Sequence, residues 1–356
     1  MSPAPQAAGA RATALDILYV GPHAGTCLQR SAALVELGHR LRFLADDPPS
    51  GALRRLLLRL GNRCGRPPDL AGTNRAIREA VCARRYDLLW IDKGRTIGRA
   101  TLARVRRASP QTLIVNYSPD DMSNPDNQSF QYRAALPAYD LLVTTKSYNV
   151  AELRACGARE VLFVDNAYDP RLHRPLELSA EERARFAADV GFVGWFERER
   201  AELMQRLAAA GIRVTVWGAD WGRWRASYPD LVLREEYLDG LDYAKAINAT
   251  RINLGFLRKV NRDLQTTRSV EIPACRAFLL AERTDEHRRL FREGQEAEFF
   301  STFDELRDKC RHYLAHEDGR RRIAGRGYER CLRDGYSNAA RLGHVLERIR
   351  ELGARR

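Results

Sequence analysis

The amino-acid sequence predicts an α/β protein made of two doubly wound, Rossmann-like domains that face each other across a cleft. The chain has 356 residues, about twice the length of a typical domain. Short apolar runs alternate with stretches of helical periodicity, and apolar strands separated by helices are typical of a parallel sheet covered on both faces. The alternation restarts after a polar segment with several prolines, residues 165–182. We therefore expect two sheets in sequence.

The first series of strands predicts an N-terminal domain at residues 15–175, preceded by a disordered tail at residues 1–14. Its strands are expected at 15–20, 41–44, 87–91, 112–116, 140–144 and 161–164. Helical spacing lies between most of them, at 27–37, 73–83, 97–105 and 149–155.

The second series predicts a C-terminal domain at residues 176–330. Its strands are expected at 190–193, 214–217, 231–233, 252–256, 278–281 and 298–300. Helices are expected at 199–209, 243–249, 269–275, 303–315 and 320–330, and a last helical segment occupies 331–356.

Composition excludes several classes of protein. Hydrophobic residues make up 44% and charged residues 29%, as in ordinary globular proteins and unlike disordered or collagen-like chains. No apolar run approaches the roughly 20 residues that span a bilayer. The seven cysteines form no C-x-x-C pair, which favours a reducing compartment, with the cytoplasm as the default, and argues against structural zinc. The net charge of +13 favours anionic partners without choosing among them.

Polar side chains follow two strands of the predicted N-terminal sheet. His23 lies where the first strand leads into a helix N-terminus, which would keep its imidazole neutral and able to act as a base. Asp120 follows the fourth strand on the same sheet edge, where a carboxylate can orient such a histidine. The alternatives are a histidine that lines the loop and an aspartate that caps a turn.

In the second half, strands end in glycine. Gly194 and Trp195 follow one strand, and Trp217 and Gly218 close the next; backbone amides at such turns can approach a phosphate closely.

Further along, cations and hydroxyls precede a predicted helix whose first turn holds Glu271. Arg258, Lys259, Thr267 and Arg268 suit a diphosphate, and a carboxylate suits ribose hydroxyls. The alternative is a solvated basic loop, with Glu271 complementing the helix dipole.

These residues resemble the CgeB-like (spore-maturation type) glycosyltransferases, which have the GT-B fold. The resemblance covers roughly residues 110–350 and is strongest at 240–300. It rests on TRSVEIPACRAFLLAE (267–282), FREGQE (291–296), Phe192-Val-Gly194 with Arg198 and Arg200, Trp217-Gly218-x-x-Trp221, and the linker at 164–175.

The resemblance implies a nucleotide-sugar donor in the C-terminal domain, an acceptor against the N-terminal domain, and final helices that cross back to the N-terminal domain. Glu271 falls on the ribose-binding glutamate, and Arg258, Lys259 or Arg268 on diphosphate ligands. His23 and Asp120 resemble the His–Asp dyad of inverting enzymes. Asp263 stands where many retaining relatives carry a glutamate. The nucleobase is expected near Tyr237.

The implied function is transfer of a sugar, hexosyltransferase-like, from a nucleotide-diphosphate sugar to a hydroxyl of a glycan, lipid-linked or protein acceptor. UDP is the commonest nucleotide in such donors. Inversion is expected, without a metal or a separate cofactor. The alternatives are a nucleotide-sugar epimerase of the same fold and a basic nucleic-acid-binding or nucleic-acid-modifying protein, although no aromatic-basic interleaving supports nucleic acid.

Residues 51–65 (GALRRLLLRLGNRCG) form a predicted amphipathic helix with leucines on one side and arginines on the other. Such a helix can rest on an anionic membrane surface, which would place the protein at the inner membrane face. The alternative is a helix that packs its leucines on the sheet.

Overall fold

Two six-stranded parallel sheets, each flanked by helices, make up the protein in the computed structural model, which describes residues 14–47 and 50–355. Apart from Ala14, the predicted N-terminal tail lies outside the described residues. Each sheet is a doubly wound unit, so the predicted fold class is confirmed.

The N-terminal sheet has the order β2-β1-β3-β4-β5-β6. Its strands are β1 (Asp16–Gly21), β2 (Arg40–Ala45), β3 (Leu88–Asp92), β4 (Leu113–Ser118), β5 (Leu141–Thr144) and β6 (Val161–Phe163). Its helices are α1 (Gly25–Glu36), α2 (Ala52–Arg63), α3 (Thr73–Ala83), α4 (Arg99–Ala108), α5 (Phe130–Ala135) and α6 (Asn149–Ala155). Every residue of β3, β4 and β5 is buried, which explains the apolar run with which each of these strands begins.

The C-terminal sheet has the order β12-β11-β10-β7-β8-β9. Its strands are β7 (Ala188–Val193), β8 (Val214–Trp217), β9 (Val232–Arg234), β10 (Thr250–Gly255), β11 (Leu279–Glu282) and β12 (Glu298–Phe300). The helices of this half are α7 (Ala180–Phe186), α8 (Arg198–Ala209), α9 (Gly240–Ala249), α10 (Arg268–Ala274), α11 (Asp285–Leu290), α12 (Phe303–Ala315), α13 (Glu317–Arg333) and α14 (Asn338–Ala354).

All twelve predicted strands are present, with ends shifted by at most two residues. The helices α5, α7 and α11 were not predicted; they have six or seven residues, and a segment this short gives only a weak helical period.

The last helix returns to the N-terminal domain, as expected. Leu342, Val345, Leu346 and Ile349 of α14 are buried in the same apolar cluster as residues of β1, β3, β4 and β5. The preceding helix, α13, stays with the C-terminal domain and packs on α10. The chain therefore crosses between the domains twice.

The strand orders locate the ligand-binding edge of each sheet. The order reverses between β1 and β3 in the first sheet and between β7 and β10 in the second. Ligands of open parallel sheets bind beyond the carboxyl ends of the strands at these positions.

Candidate functional site

A cavity of about 200 Å³ lies between the two domains, beyond the carboxyl ends of β7 and β8. Its N-terminal wall is the start of α1, with Gly25, Thr26 and Gln29. Its C-terminal wall contains seven of the ten residues predicted to bind the donor: Gly194, Trp195, Gly218, Tyr237, Thr267, Arg268 and Glu271. The sequence-based choice of residues therefore converges on one place.

Two glycines allow the backbones to approach each other in the floor of this cavity. A Cβ on Gly218, whose φ is +157°, would lie 2.2 Å from the Gly194 carbonyl oxygen. A Cβ on Gly194 would lie 2.8 Å from the Phe192 ring. Their amides are not free, because Gly194 N–H donates to the Trp217 carbonyl at 3.0 Å and Gly218 N–H to the Arg234 carbonyl at 3.4 Å. The two glycines therefore allow close packing of the backbone. The sequence-based expectation was different, namely that their amides would bind a phosphate.

Glu271 is the buried carboxylate of the cavity. It lies in the first turn of α10, is 4% exposed and accepts a hydrogen bond from the Tyr243 hydroxyl at 2.7 Å. His173 Nε2 lies 3.8 Å from the other carboxylate oxygen. Burial and the Glu271 carboxylate raise the pKa of Tyr243 well above its ordinary value, so this hydroxyl remains a donor. Sequence reasoning did not select Tyr243 or His173, which lie 28 and 98 residues before Glu271 in the chain.

Arginines gather beside the cavity. Arg200 and Arg268 both face the Phe192 ring, with guanidinium carbons 5.4 and 5.5 Å from its centroid. Arg200 is buried, and burial lowers its pKa, with the nearby Arg268 charge acting in the same direction. Among the described residues, none accepts a hydrogen bond from the buried Nε of Arg268. This arrangement leaves positive charge available to an anion.

Three predicted donor residues lie outside the cavity wall. Trp217 is 1% exposed and packs in the core as the last residue of β8. Arg258 Nε pairs with Glu197 at 2.9 Å, and Lys259 Nζ pairs with Glu282 at 2.5 Å. Each of these two cations is thus paired with a carboxylate that is distant in the sequence and that folding brings close to it.

The structure does not bring His23 and Asp120 together. His23 is exposed, its ring meets the Phe43 ring edge-on at 5.3 Å, and its backbone N–H donates to Asp47 at 2.8 Å. Asp120 instead accepts from Lys93 Nζ at 2.8 Å and from Asn261 Nδ2 at 3.5 Å. Burial opposes ionisation of Asp120, but the Lys93 charge keeps its pKa below the ordinary value. His23 lies two residues before Gly25, and so at the rim of the cavity.

The loop between β10 and α10 docks on the N-terminal domain. Arg262, held at a φ of +47°, pairs with Asp121 at 2.7 Å and with Glu152 at 2.9 Å. Beside it, Lys146 Nζ and Asp263 Oδ1 form an ion pair at 2.5 Å, with side chains 4% and 5% exposed. Burial raises the pKa of Asp263 despite the Lys146 charge. The carboxylate at the position of the retaining relatives' glutamate is therefore engaged in an interdomain ion pair.

A second pocket, of about 270 Å³, lies on the N-terminal domain beyond the carboxyl ends of β1, β2 and β3. Pro22 lines it, so the loop that carries His23 separates it from the interdomain cavity. Asp46 and Lys93 line it as well, and burial together with the Asp47 charge raises the pKa of Asp46 to about 6.

The described part of the chain contains neither a cluster of metal-binding side chains nor a membrane-spanning helix. No three His, Cys, Asp or Glu side chains there are grouped so as to hold a metal ion. No helix there combines the length and the apolar character needed to cross a membrane.

Residues 198–347, from the start of α8 into α14, match the protein family described as glycosyl transferase-like. This segment, 150 of the 356 residues, is therefore similar to a glycosyltransferase-like domain. The matched segment contains Arg200, Arg268 and Glu271, and thus most of the C-terminal wall of the cavity. No curated protein matches the sequence significantly.

Solved structures similar to this chain include GT-B glycosyltransferases, so the predicted GT-B fold is confirmed. Anabaena HepE, in complex with UDP and glucose, aligns with a TM-score of 0.63 at 12% identity over 95% of this chain and 100% of its own. Sucrose-phosphate synthase from Thermosynechococcus elongatus aligns with a TM-score of 0.65 at 12% identity, covering 94% and 98%. A putative UDP-N-acetylglucosamine 2-epimerase from Listeria monocytogenes aligns with a TM-score of 0.56 at 10% identity, covering 94% and 95%.

Proposed function

We propose that this protein transfers a sugar from a nucleotide-diphosphate sugar to an acceptor hydroxyl. The observation that carries the proposal is the interdomain cavity of the glycosyltransferase-like domain, in which buried Glu271 and unpartnered Arg268 Nε lie on one short helix. A carboxylate suits the two hydroxyls of a ribose, and a guanidinium suits a diphosphate. The HepE structures that contain UDP and UDP-glucose support a UDP-sugar as the donor.

The cavity offers a separate place for each part of the donor. Trp195 and Tyr237 are exposed, with ring centroids 6.4 Å apart, and present apolar faces to a nucleobase. The Glu271 carboxylate accepts hydrogen bonds from the ribose hydroxyls. Arg268, with Arg200 behind the Phe192 ring and the N-terminus of α1 opposite, stabilises the diphosphate as it leaves. The positive charge of these groups makes a metal-independent reaction chemically reasonable.

In the proposed reaction, His23 removes the proton from the acceptor hydroxyl while that oxygen attacks the anomeric carbon. The bond from the anomeric carbon to the β-phosphate oxygen breaks, and its electron pair leaves with the nucleoside diphosphate. The imidazolium then releases its proton to water. Attack from the N-terminal domain, opposite the leaving group, inverts the anomeric configuration. The interdomain pairing of Asp263 supports inversion, because that carboxylate is engaged by Lys146.

We extend the proposal to the acceptor and to the subfamily. The N-terminal pocket beside the His23 loop is the acceptor site, and α2 holds it against an anionic membrane: Leu58 of this helix lines the pocket, while Leu53, Leu56 and Leu60 are 70%, 51% and 53% exposed. A lipid-linked acceptor at the inner membrane face fits this geometry, and the sequence motifs favour a CgeB-like enzyme. The proposed domain limits remain 15–175 and 176–330, followed by the returning segment 331–356.

Nucleotide binding tests the donor site. UDP, GDP, dTDP and CDP are titrated calorimetrically into the wild type, Glu271→Gln and the surface control Glu347→Gln. We expect UDP to bind, and Glu271→Gln to weaken it at least about tenfold because a charge-assisted hydrogen bond is lost. Glu347→Gln should bind like the wild type, since that side chain is 68% exposed on α14.

Equal binding by Glu271→Gln and the wild type would remove the ribose assignment, and no binding by any nucleotide would remove the donor proposal. Because Glu271 is buried, melting temperatures are measured in parallel, and Arg268→Ala serves as a second, half-buried variant of the same site.

A further inference from the structure

The largest of the principal cavities formed by the described residues, about 580 Å³, lies away from the interdomain cleft. Residues just before or at the start of strands line it, including Ala187 before β7 and Ala249 before β10, whereas the donor cavity follows the ends of β7 and β8. Six residues of β7 separate the two edges by about 20 Å. This cavity is therefore a separate feature of the C-terminal domain.

Arginine dominates its lining: Arg183, Arg251, Arg276, Arg320 and Arg321. The carboxylates here are already paired, Glu317 with Arg321 at 2.5 Å and Asp189 with Arg251 at 3.0 Å. Five guanidinium groups against these two carboxylates leave an excess of three positive charges.

Two of the cations have no carboxylate partner among the described residues, namely Arg183 and Arg276, and both are exposed. Arg276 has a φ of +55°, at the position after a helix that glycine usually occupies. Its guanidinium lies beside α13, where a Cβ on Gly325 would be 3.8 Å from its Nε. An arginine is thus retained where the backbone favours glycine.

The wall also contains a buried cation. Arg320 is 6% exposed, donates to the Tyr313 carbonyl at 2.6 Å and is 3.9 Å from its nearest carboxylate, Glu317. Burial and the neighbouring Arg251 lower its pKa, and the Glu317 and Asp189 carboxylates offset this effect only in part. A bound anion would supply the remaining compensation.

We infer that this cavity is a binding site for a compact polyanion carrying two or more phosphate groups. A guanidinium group can donate two parallel hydrogen bonds to the oxygens of one phosphate. The volume of this cavity is larger than a single phosphate group would occupy. Such a ligand would be inorganic pyrophosphate or the diphosphate of a nucleotide. The site is independent of the proposed donor site, although α10 joins them: it begins with Arg268 and Glu271 at one cavity and ends at Cys275 and Arg276 in the other.

Calorimetric titration with pyrophosphate at constant ionic strength tests the inference. It is performed in an Arg268→Ala background, so that binding at the donor cavity does not contribute. Arg276→Gly removes one charge while relieving the positive φ, and is expected to melt no lower than the wild type. Combined with Arg183→Ala, it should weaken pyrophosphate binding at least about tenfold. Arg326→Ala, an exposed arginine of α13 outside the cavity, is the matched control and should change nothing.

Unchanged binding by the double variant, or no binding once Arg268 is replaced, would overturn the inference. Either result would leave UDP binding to the wild type unaffected, so the failure is distinct from a failure of the proposed function. A UDP titration of the same background, compared with the same protein carrying Arg183→Ala and Arg276→Gly so that residual binding at the donor cavity is subtracted, identifies the source of the phosphate groups. Binding tighter than pyrophosphate favours a nucleotide, and weaker binding favours a free polyphosphate; both support the site.

Discussion

His23 is the titratable residue that the loop after β1 places between the two pockets. Its imidazole is exposed and packs against Phe43, while its backbone is tied to Asp47. The carboxylate expected to orient it, Asp120, is engaged by Lys93. If His23 is the base, as we propose, its alignment depends on the position of this loop, because Asp120 does not orient it.

Replacing His23 with alanine should lower the rate of sugar transfer by about 10²–10⁴-fold, because general-base catalysis is lost. UDP affinity should remain unchanged, since His23 lies at the rim and not in the cavity wall. The measurement is initial transfer rate with an identified acceptor, with and without added imidazole, which should restore part of the rate. His344→Ala, which changes an exposed histidine of α14, is the control, and transfer by His23→Ala at the wild-type rate would exclude His23 as the base.

At the scale of a secondary-structure element, α2 differs from the other helices of its domain. None of the twelve residues of α2 is buried, and the leucines at 53, 56, 57 and 60 share one face of the helix. The helix contains four arginines and no acidic residue. The alternative that these leucines pack on the sheet is wrong, because they face away from the protein.

We expect the protein to co-sediment with vesicles containing anionic phosphatidylglycerol and not with neutral phosphatidylcholine vesicles. Leu56→Ser combined with Leu60→Ser should reduce binding at least about tenfold, because each leucine contributes apolar area to the membrane contact. Leu332→Ser, which changes an equally exposed leucine on α13, should bind like the wild type. Equal sedimentation of all three proteins would remove α2 as the contact.

At the scale of the whole molecule, the Lys146–Asp263 ion pair joins the two domains in a buried contact. Lys146 lies after β5 and Asp263 after β10, so the pair forms only when both sheets are complete and docked. Removing one partner of such a pair leaves an uncompensated charge, whereas removing both with apolar residues is often tolerated.

Lys146→Met should destabilise the protein by about 3–5 kcal/mol, measured by urea unfolding at pH 8. The loss of unfolding free energy caused by Lys146→Met should be smaller at pH 5 than at pH 8. Without Lys146, the pKa of Asp263 lies further above its unfolded value; the carboxyl group is then protonated in the folded state at lower pH, and stability falls as pH rises. Lys146→Met with Asp263→Leu should recover most of the stability. Arg75→Met, which breaks an exposed pair, should cost less than about 1 kcal/mol, and equal costs for the two single variants would contradict the buried pair's role.

Regular patterns in the sequence were sufficient to predict the strands. β3, β4 and β5 each begin with an apolar run of three or four residues, because both faces of the sheet are covered. Glu271 and Arg268 were predictable too, because their place at a helix start after a strand determines which edge of the sheet they reach.

Contacts between distant loops were not predictable. Arg258 pairs with Glu197, 61 residues away, and Asp120 pairs with Lys93. Both ion pairs depend on the positions of loops in the folded protein. Trp217 was misplaced for a related reason: at the last position of β8 the side chain faces the core instead of the cavity. The position of a residue after a strand indicates which edge of the sheet it reaches. The direction of its side chain and its ion-pair partner become known only from the tertiary structure.

The two crossings between the domains are bonded to each other. Tyr168 N–H donates to the Tyr336 carbonyl at 3.2 Å, and Asn338 N–H donates to the Tyr168 carbonyl at 2.8 Å. Two chain segments joined side by side by backbone hydrogen bonds resist sliding and twisting of one domain against the other. These two hydrogen bonds therefore help to keep α1 and α10 facing each other across the cleft.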